Sequence, residues 1–235
     1  MNKFKNSEQI PIISLLNVNK TSSKFINKNQ ILKNINFNAK VNDLIVIEYE
    51  DEVEINSLIN IILGLDNLYN GHAYFLGNEL QSLNGKQRAM LRLRNQSIIS
   101  KEMRLFDNLN VFENIYYSLL KNKGGKEIEE FKYKVIQSLR YMGVEDFINK
   151  KPKQIPSDYL MKIAYARALA KNPKLIIIDY HISNYDSNEF NLFLEILYRV
   201  YFDFKITTIL ITNDRRFSNS INNIMLLKDG ELARV

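Results

Sequence analysis

The order of the predicted strands and helices constrains this chain more than any other feature. Short apolar segments typical of strands alternate with helical segments near both ends, whereas residues 111–120 and 126–142 have the three-and-four apolar spacing of amphipathic helices. Alternating strands and helices favour a mostly parallel sheet covered by helices. The all-helical middle favours a lobe inserted into that sheet domain. The periodicity therefore predicts an α/β fold with an inserted helical lobe.

This pattern predicts a single domain over residues 1–235. The sheet lobe is expected at about 1–100 and 165–235, and the helical lobe at about 101–164. The expected strands are 12–18, 31–37, 44–47, 72–76, 175–179, 207–212 and 223–227. The expected helices outside the middle are 56–63, 85–94, 157–170 and 188–201.

Residue types that the chain lacks exclude several classes of site. There are no cysteines and only two histidines, so disulfides, thiolate chemistry and histidine-rich metal sites are not expected. No apolar run approaches the roughly 18–20 residues that span a bilayer, and the first ten residues lack the apolar core of a signal peptide. We therefore expect a cytoplasmic protein that reaches the inner face of the membrane through a partner.

The net charge of +6 has three interpretations. Nucleic-acid binding is not favoured, because the basic residues are scattered and no aromatic-interleaved binding motif accompanies them. A mildly basic surface also suits a protein that docks on an anionic leaflet. The third interpretation is an ordinary solvated surface.

Five stretches, in a consistent order and spacing, resemble the ABC transporter ATPase family. The resemblance is to the subgroup that contains the FtsE, LolD and MacB ATPase domains, and it runs from about Leu16 to Leu232. The stretches are ILGLDNLYNGHAYFLGNEL (62–80), LFDNLNVFENI (105–115), AYARALAKNPKLIIID (164–179), ITTILITND (206–214) and IMLLKDGEL (224–232). The resemblance implies a P-loop NTPase-like fold with a mostly parallel sheet lobe, an inserted helical lobe and an N-terminal antiparallel β part.

The phosphate-binding loop of the family, G-x-x-G-x-G-K-[ST]-[ST], corresponds to YEDEVEINS, residues 49–57, when counted back from Gly64. The resemblance puts Tyr49, Glu52 and Glu54 at the glycine positions. Ile55 then takes the lysine position, and Asn56 and Ser57 take the hydroxyl positions. The chain has only 8 glycines, about half the usual share.

Five acidic residues lie within this window or immediately before it, where a phosphate site needs bare amides and a lysine. They are Glu48, Glu50, Asp51, Glu52 and Glu54. We therefore expect ATP and Mg²⁺ binding to be lost. Three interpretations of the segment stay open: a solvated acidic turn, a cap in which Glu52 or Glu54 stands at the start of a helix near Asn56, and a cation site.

The other motif positions are also altered. The Q-loop glutamine corresponds to Lys101, either a surface lysine or a partner of Asp51, Glu52 or Asp179. The signature LSGGQ corresponds to Ile155, Pro156, Ser157, Asp158 and Tyr159, and we expect Ser157 to cap the helix that follows it.

Walker B is the best-preserved motif, because Asp179 follows an apolar strand and matches the aspartate linked to magnesium. Tyr180 stands at the position of the catalytic glutamate, and a phenol with a pKa of ~10 is a poor base at neutral pH. Asn213 takes the position of the switch histidine and cannot become a cation. Asp186 matches the D-loop aspartate, and Phe25 is either the adenine-stacking aromatic or a core residue.

The resemblance implies a function without catalysis. Both halves of the composite ATP site are altered, so we expect a pseudo-ATPase that acts as a scaffold or regulator of an FtsX-like or LolE-like membrane protein. It would form a homodimer, or a heterodimer with another ABC ATPase subunit. The alternative is a divergent ATP-binding subunit that hydrolyses ATP only with a partner subunit. Met103, Leu105 and Phe106 would either line the groove for the membrane partner or fill the core.

Overall fold

The computed structural model describes residues 10–22, 30–100, 105–120, 128–180 and 187–235. The chain divides into two compact units, Met1–Gln96 with Lys174–Val235, and Ser97–Pro173. The strands in chain order are β1 (Ile13–Thr21), β2 (Gln30–Ala39), β3 (Leu44–Tyr49), β4 (Asn70–Phe75), β5 (Asn78–Glu79), β6 (Gln96–Ser100), β7 (Leu175–Tyr180), β8 (Thr207–Thr212), β9 (Ile224–Lys228) and β10 (Glu231–Arg234). The helices are α1 (Glu52–Ile62), α2 (Gly85–Asn95), α3 (Val111–Leu119), α4 (Ile128–Tyr141), α5 (Ser157–Ala170) and α6 (Ser187–Phe204).

The first unit contains an antiparallel sheet with the strand order β2-β1-β4-β5. Strand β2 alternates exposed polar residues with buried apolar ones over residues 34–39, as expected where one face packs on a core, whereas β1 begins with three buried residues in a row. Asn17 and Asn34 take positive φ values of 51° and 49° at irregular points of this pairing. Asparagine tolerates this conformation better than other residues with a side chain. The irregularities are therefore accommodated without glycine.

A second sheet in the same unit holds the parallel strands in the order β9-β3-β8-β7, and β10 pairs antiparallel with β9 at its edge. Strand β3 runs parallel to β8 and β9, and β7 runs parallel to β8. The first four residues of each of the strands LIIIDY and LIVIEY are apolar and buried on both faces, as is typical of parallel strands. The carboxyl ends of β3, β7 and β8 therefore meet at one edge of this sheet.

The core of the first unit lies between these sheets and α1. Ile47, Ile177 and Ile211 of the parallel strands belong to one buried cluster with Ile55 and Leu58 of α1. Burying each such side chain stabilises the fold by roughly 1.5–3 kcal/mol relative to exposure. This packing fixes the direction in which α1 leaves the end of β3.

The second unit is built on α3, α4 and α5, which pack on one another. Val111, Ile115, Val135, Leu139 and Ile163 are fully buried among them. Asn110 and Glu113 form a reciprocal capping box that starts α3. The amphipathic spacing in the middle of the sequence thus becomes a helical unit.

The structure confirms the predicted α/β class, and it corrects some boundaries. Helix α1 begins at Glu52, four residues before the start expected near Asn56. Strand β6 was not expected, because five residues with two adjacent isoleucines give too little alternation to identify. Within the described residues, no helix is both long and apolar enough to cross a membrane.

Candidate functional site

Four of the motif positions of the first unit lie at the carboxyl edge of the parallel strands. Tyr49 ends β3, Asp179 and Tyr180 end β7, and Asn213 follows β8. Tyr180 and Glu48 each pair in register with Thr212 of β8, so the three strand ends lie level with one another. Ligands of open α/β sheets bind at this edge. It is therefore the candidate functional site of the unit.

Asp51 caps α1 at this edge. Its backbone is extended, with φ −119° and ψ 126°, and its Oδ1 accepts hydrogen bonds from Val53 N (2.6 Å) and Glu54 N (3.1 Å). Of the three interpretations left open for this segment, the one in which Glu52 or Glu54 caps a helix near Asn56 was wrong. A short carboxylate at the last non-helical residue reaches the second and third amides, whereas Glu52 and Glu54 already lie in the first helical turn. An internal carboxylate thus occupies two amides of the helix N-terminus.

The residue at the lysine position faces away from this edge. Ile55 is 1 % exposed and belongs to the apolar core, whereas Asn56 is exposed. Ser57, at a hydroxyl position, is buried as well. Because Asp51 starts the helix early, the lysine position falls on the buried face of α1 rather than at its end.

Negative charge dominates the electrostatics of the edge. Burial, followed by the charges of Asp179 and Glu52, raises the pKa of Tyr49 to about 12. Burial also raises the pKa of Glu54, against a hydrogen bond from the Gly230 amide that lowers it. Such an environment disfavours any additional anion.

Lys228 contacts the segment between β3 and α1. Lys228 Nζ lies 2.9 Å from Glu50 Oε2, and both side chains are about half exposed. An exposed pair of this kind contributes little to stability. Lys228 is the last residue of β9, and its ammonium group is paired with Glu50.

Tyr180, at the catalytic glutamate position, is packed into an aromatic cluster. Its ring centroid lies 4.1 Å from that of Phe193 and 5.5 Å from that of Phe217. Phe190 completes the cluster, 4.9 Å from Phe217. Tyr180 and Phe217 are buried, so this position contributes to the core between β7, α6 and the chain after β8.

The chain after β8 is held in place by several contacts. Asp214 caps the 3₁₀ helix Arg215–Asn219 by accepting from Arg216 N (2.9 Å). The Arg216 guanidinium contacts Asp214 Oδ2 at 2.7 Å and lies 4.3 Å above the Phe190 ring. Asn213, at the switch position, is exposed beside these contacts. The segment is thereby fixed to α6.

The signature positions lie in the second unit, at the start of α5. The expectation that Ser157 caps this helix was wrong, because Ser157 is already its first residue and Pro156 precedes it without a side-chain cap. Proline fixes the extended φ of that position and leaves Ser157 Oγ to contact Asp158 Oδ1 at 3.2 Å. Tyr159 packs on Phe147, with ring centroids 4.8 Å apart, and Ile155 is buried.

Two of the residues expected to line the groove for the membrane partner differ in exposure. Leu105 is buried, whereas Phe106 is 63 % exposed. Asn114 holds this turn: its Oδ1 accepts from Phe106 N (2.7 Å), and its Nδ2 donates to the carbonyls of Phe106, Leu109 and Asn110. Sequence reasoning missed Asn114, whose signal is a polar residue on the apolar face of α3.

Four expected site residues lie outside the described residues: Phe25, Lys101, Met103 and Asp186. Among the residues that are described, no three His, Asp, Glu or Cys side chains are grouped to hold a metal ion.

Comparisons with known proteins agree with this arrangement. The family described as ABC transporter matches residues 56–181, just over half of the chain. The chain is 28% identical to the uncharacterized ABC transporter ATP-binding protein MJ1508 of Methanocaldococcus jannaschii, over 95% of this chain and 99% of that protein. It is 26% identical to the lipoprotein-releasing system ATP-binding protein LolD of Francisella tularensis, over 95% and 96% of the two chains.

Solved structures are similar over the same length. The dimeric structure of MJ0796, a bacterial ABC transporter cassette, has a TM-score of 0.79 and 27% identity, and the match covers 94% of this chain and 96% of that one. A second structure of MJ0796, a post-hydrolysis dimer bound to ADP and Pi, has the same TM-score at 26% identity. The family match, the relatives and the fold together show that this chain belongs to the ABC transporter family, as a cassette of the ATP-binding type.

Proposed function

We propose that this chain is a catalytically inactive cassette subunit, a scaffold or regulator of an integral membrane protein of the FtsX-like or LolE-like type. The observation that carries the proposal is the Asp51 carboxylate on the amides of Val53 and Glu54. A helix N-terminus binds phosphate through such free amides and its positive dipole end. Here a carboxylate of the chain itself takes that place.

The residues present do not suit a nucleoside triphosphate. Ile55 takes the lysine position with an uncharged side chain that lies in the core, so it supplies no cation to the edge. Burial, followed by the Asp179 and Glu52 charges, raises the pKa of Tyr49, and a phosphate brought to this edge would meet the same two negative charges. Two like charges at about 4 Å repel by roughly 1–4 kcal/mol, depending on the local dielectric.

The position of the general base supports the proposal independently. A catalytic base must reach a water next to the phosphate, yet the Tyr180 ring packs against Phe193 and Phe217. A phenol, unlike a carboxylate, is a poor general base near neutral pH. The chemistry of hydrolysis would therefore lack its base even with nucleotide supplied by a partner.

The relatives suggest how such a subunit is used. The LolD protein belongs to a lipoprotein-releasing system, and the MJ0796 cassette is dimeric. We propose that this chain likewise forms a homodimer, or a heterodimer with another ABC ATPase subunit, on the cytoplasmic face of a membrane partner. The exposed Phe106, held out by the turn that Asn114 fixes, is the proposed contact to that partner.

A second candidate function rests on Asp179, which keeps its place at the end of β7. In this alternative the chain is a divergent ATP-binding subunit that hydrolyses ATP only together with a partner subunit. The aspartate at this position would then hold Mg²⁺.

The two functions differ in what Asp179→Asn does to the intact membrane complex. The complex should be purified with wild-type chain, with Asp179→Asn, and with Asp203→Asn as a control for the loss of one exposed carboxylate. The scaffold proposal predicts equal complex yield and equal ATP hydrolysis for all three. A loss of hydrolysis in Asp179→Asn alone, with the complex intact, would establish the alternative.

A further inference from the structure

The two edges of the parallel strands differ in charge. The carboxyl edge carries the acidic residues Glu48, Glu50, Asp51, Glu52 and Asp179. At the amino edge an exposed lysine precedes each of three neighbouring strands: Lys40 before β3, Lys205 before β8 and Lys174 before β7. Because neighbouring strands lie 4.7–4.9 Å apart, these three segments enter the sheet within roughly 10 Å of one another.

Exposed apolar side chains accompany these lysines. Phe202 is 65 % exposed and Phe204 is 40 % exposed in the last turn of α6, and Val41 is 45 % exposed in the turn before β3. The Tyr201 hydroxyl donates to the Asn42 carbonyl at 2.8 Å and so ties the end of α6 to that turn. The aromatic residues and Val41 therefore belong to one surface, which we call the amino-edge patch.

Acidic residues offset only part of the positive charge. Asp43 Oδ2 accepts a hydrogen bond from Lys40 N (2.7 Å), and Asp203 is exposed between the two phenylalanines. Arg199 is exposed one turn earlier on α6. The three lysines and Arg199 outnumber these two carboxylates, so the patch keeps a net positive charge.

We propose that the amino-edge patch binds the surface of an anionic lipid bilayer. Lysines at a protein surface are attracted to anionic headgroups, and exposed aromatic side chains insert at the boundary between headgroups and acyl chains. The acidic carboxyl edge is repelled by the same surface. The charge separation along the strands thus orients the unit with Lys40, Lys174 and Lys205 toward the lipid. This contact is independent of nucleotide binding.

Sedimentation with vesicles tests the proposal on the full chain. Vesicles of phosphatidylcholine alone should bind little protein, and vesicles that also contain phosphatidylglycerol should bind it, less strongly as the salt concentration rises. Lys40→Glu/Lys174→Glu/Lys205→Glu should weaken that binding at least about tenfold. Phe202→Ser alone should weaken it by roughly fivefold, since only apolar area is removed.

A matched control distinguishes the loss of the amino-edge patch from the change in the net charge of the protein. Lys86→Glu/Lys150→Glu/Lys151→Glu reverses three exposed lysines elsewhere and gives the same total charge. It should bind more tightly than the patch variant by at least about fivefold, with thermal unfolding confirming that each variant folds. Equal loss in both variants, equal binding to neutral vesicles, or no binding of the wild type to anionic vesicles would overturn the proposal.

Discussion

Tyr180 meets Phe217 edge to face, with the ring centroids 5.5 Å apart and the ring planes at 90°. This contact joins the end of β7 to the 3₁₀ helix after β8. In the motif comparison these two points are the position of the catalytic glutamate and the segment after the switch residue. In this chain Tyr180 and Phe217 therefore stabilise the core between β7, α6 and the chain after β8.

Replacing Tyr180 with glutamate should destabilise the protein rather than restore a catalytic base. The change removes ring contacts with Phe193 and Phe217 and buries a carboxylate, so we expect a loss of about 3–5 kcal/mol in the free energy of unfolding. Tyr180→Phe keeps the rings and should lose less than about 1.5 kcal/mol. Urea unfolding measures both, and equal stabilities for Tyr180→Glu and wild type would contradict this interpretation.

Removing the Asp51 cap should lower stability by about 1 kcal/mol. Asp51→Ala frees the amides of Val53 and Glu54 and removes a negative charge from the positive end of α1. Asp51→Asn keeps a capping oxygen and is the matched control, with an expected loss of a few tenths of a kcal/mol. Thermal unfolding compares the two. Indistinguishable melting temperatures for Asp51→Ala and wild type would mean that the cap contributes nothing.

Restoring a lysine at the P-loop lysine position should not restore phosphate binding. Ile55 is 1 % exposed in the core, so Ile55→Lys should cost at least about 3 kcal/mol, because it buries an ammonium group among apolar side chains. Ile55→Val should cost about 0.5–1.5 kcal/mol. Urea unfolding measures the stability of the two variants, and titration with Mg-ATP measures their nucleotide binding. An Ile55→Lys variant that folds as well as Ile55→Val and binds nucleotide would refute this account of α1.

Glu54 should make the protein less stable as the pH rises. Burial, followed by the Asp51 and Asp229 charges, raises its pKa above the ordinary value of 4.5, against the lowering effects of the Gly230 amide and Lys33. The folded state therefore holds this proton more tightly than the unfolded chain, and stability falls as the pH rises from 4.5 through the raised pKa. Within the described part of the chain, Glu54 Oε2 is buried without a hydrogen-bond partner.

Glu54→Gln removes this titration and should raise the melting temperature at pH 7 but not at pH 4. Glu231→Gln, at an exposed position of β10, is the control for the change in net charge. If both variants shift the melting temperature equally at both pH values, the raised pKa of Glu54 is not the cause.

Replacing Asn114 should loosen the turn that carries Phe106. Asn114→Ala removes four hydrogen bonds to the backbone of residues 106–110, and we expect a loss of about 2–3 kcal/mol, because the stranded groups are partly buried. Asn114→Asp keeps the acceptor for Phe106 N and should lose less. Limited proteolysis at this turn should speed up in Asn114→Ala. An unchanged cleavage rate would show that other contacts hold the turn.

The sequence predicted the fold class and most elements, because periodicity reports directly on burial. Helix α5 and strand β8 begin and end at the residues expected. The start of α1 was misplaced because it was taken from the family's motif. Aspartate is a preferred N-cap residue and glutamate is not, so Asp51 could have been chosen from the sequence over Glu52 and Glu54. The contacts of Tyr180 with Phe193 and Phe217 join residues far apart in sequence, so no local pattern predicts them. Asn114, in contrast, contacts residues within eight positions, and its local signal is a polar residue on the apolar face of α3.

The central claim is that an internal carboxylate and a buried Ile55 leave no place for nucleotide phosphates at α1. Calorimetric titration of the purified chain with Mg-ATP tests this most directly, with Asp51→Ala titrated in parallel. The account predicts no binding heat for either protein at millimolar nucleotide, since freeing the amides still leaves Glu52, Glu54 and Asp179 at the edge. Micromolar binding by the wild-type chain would contradict it.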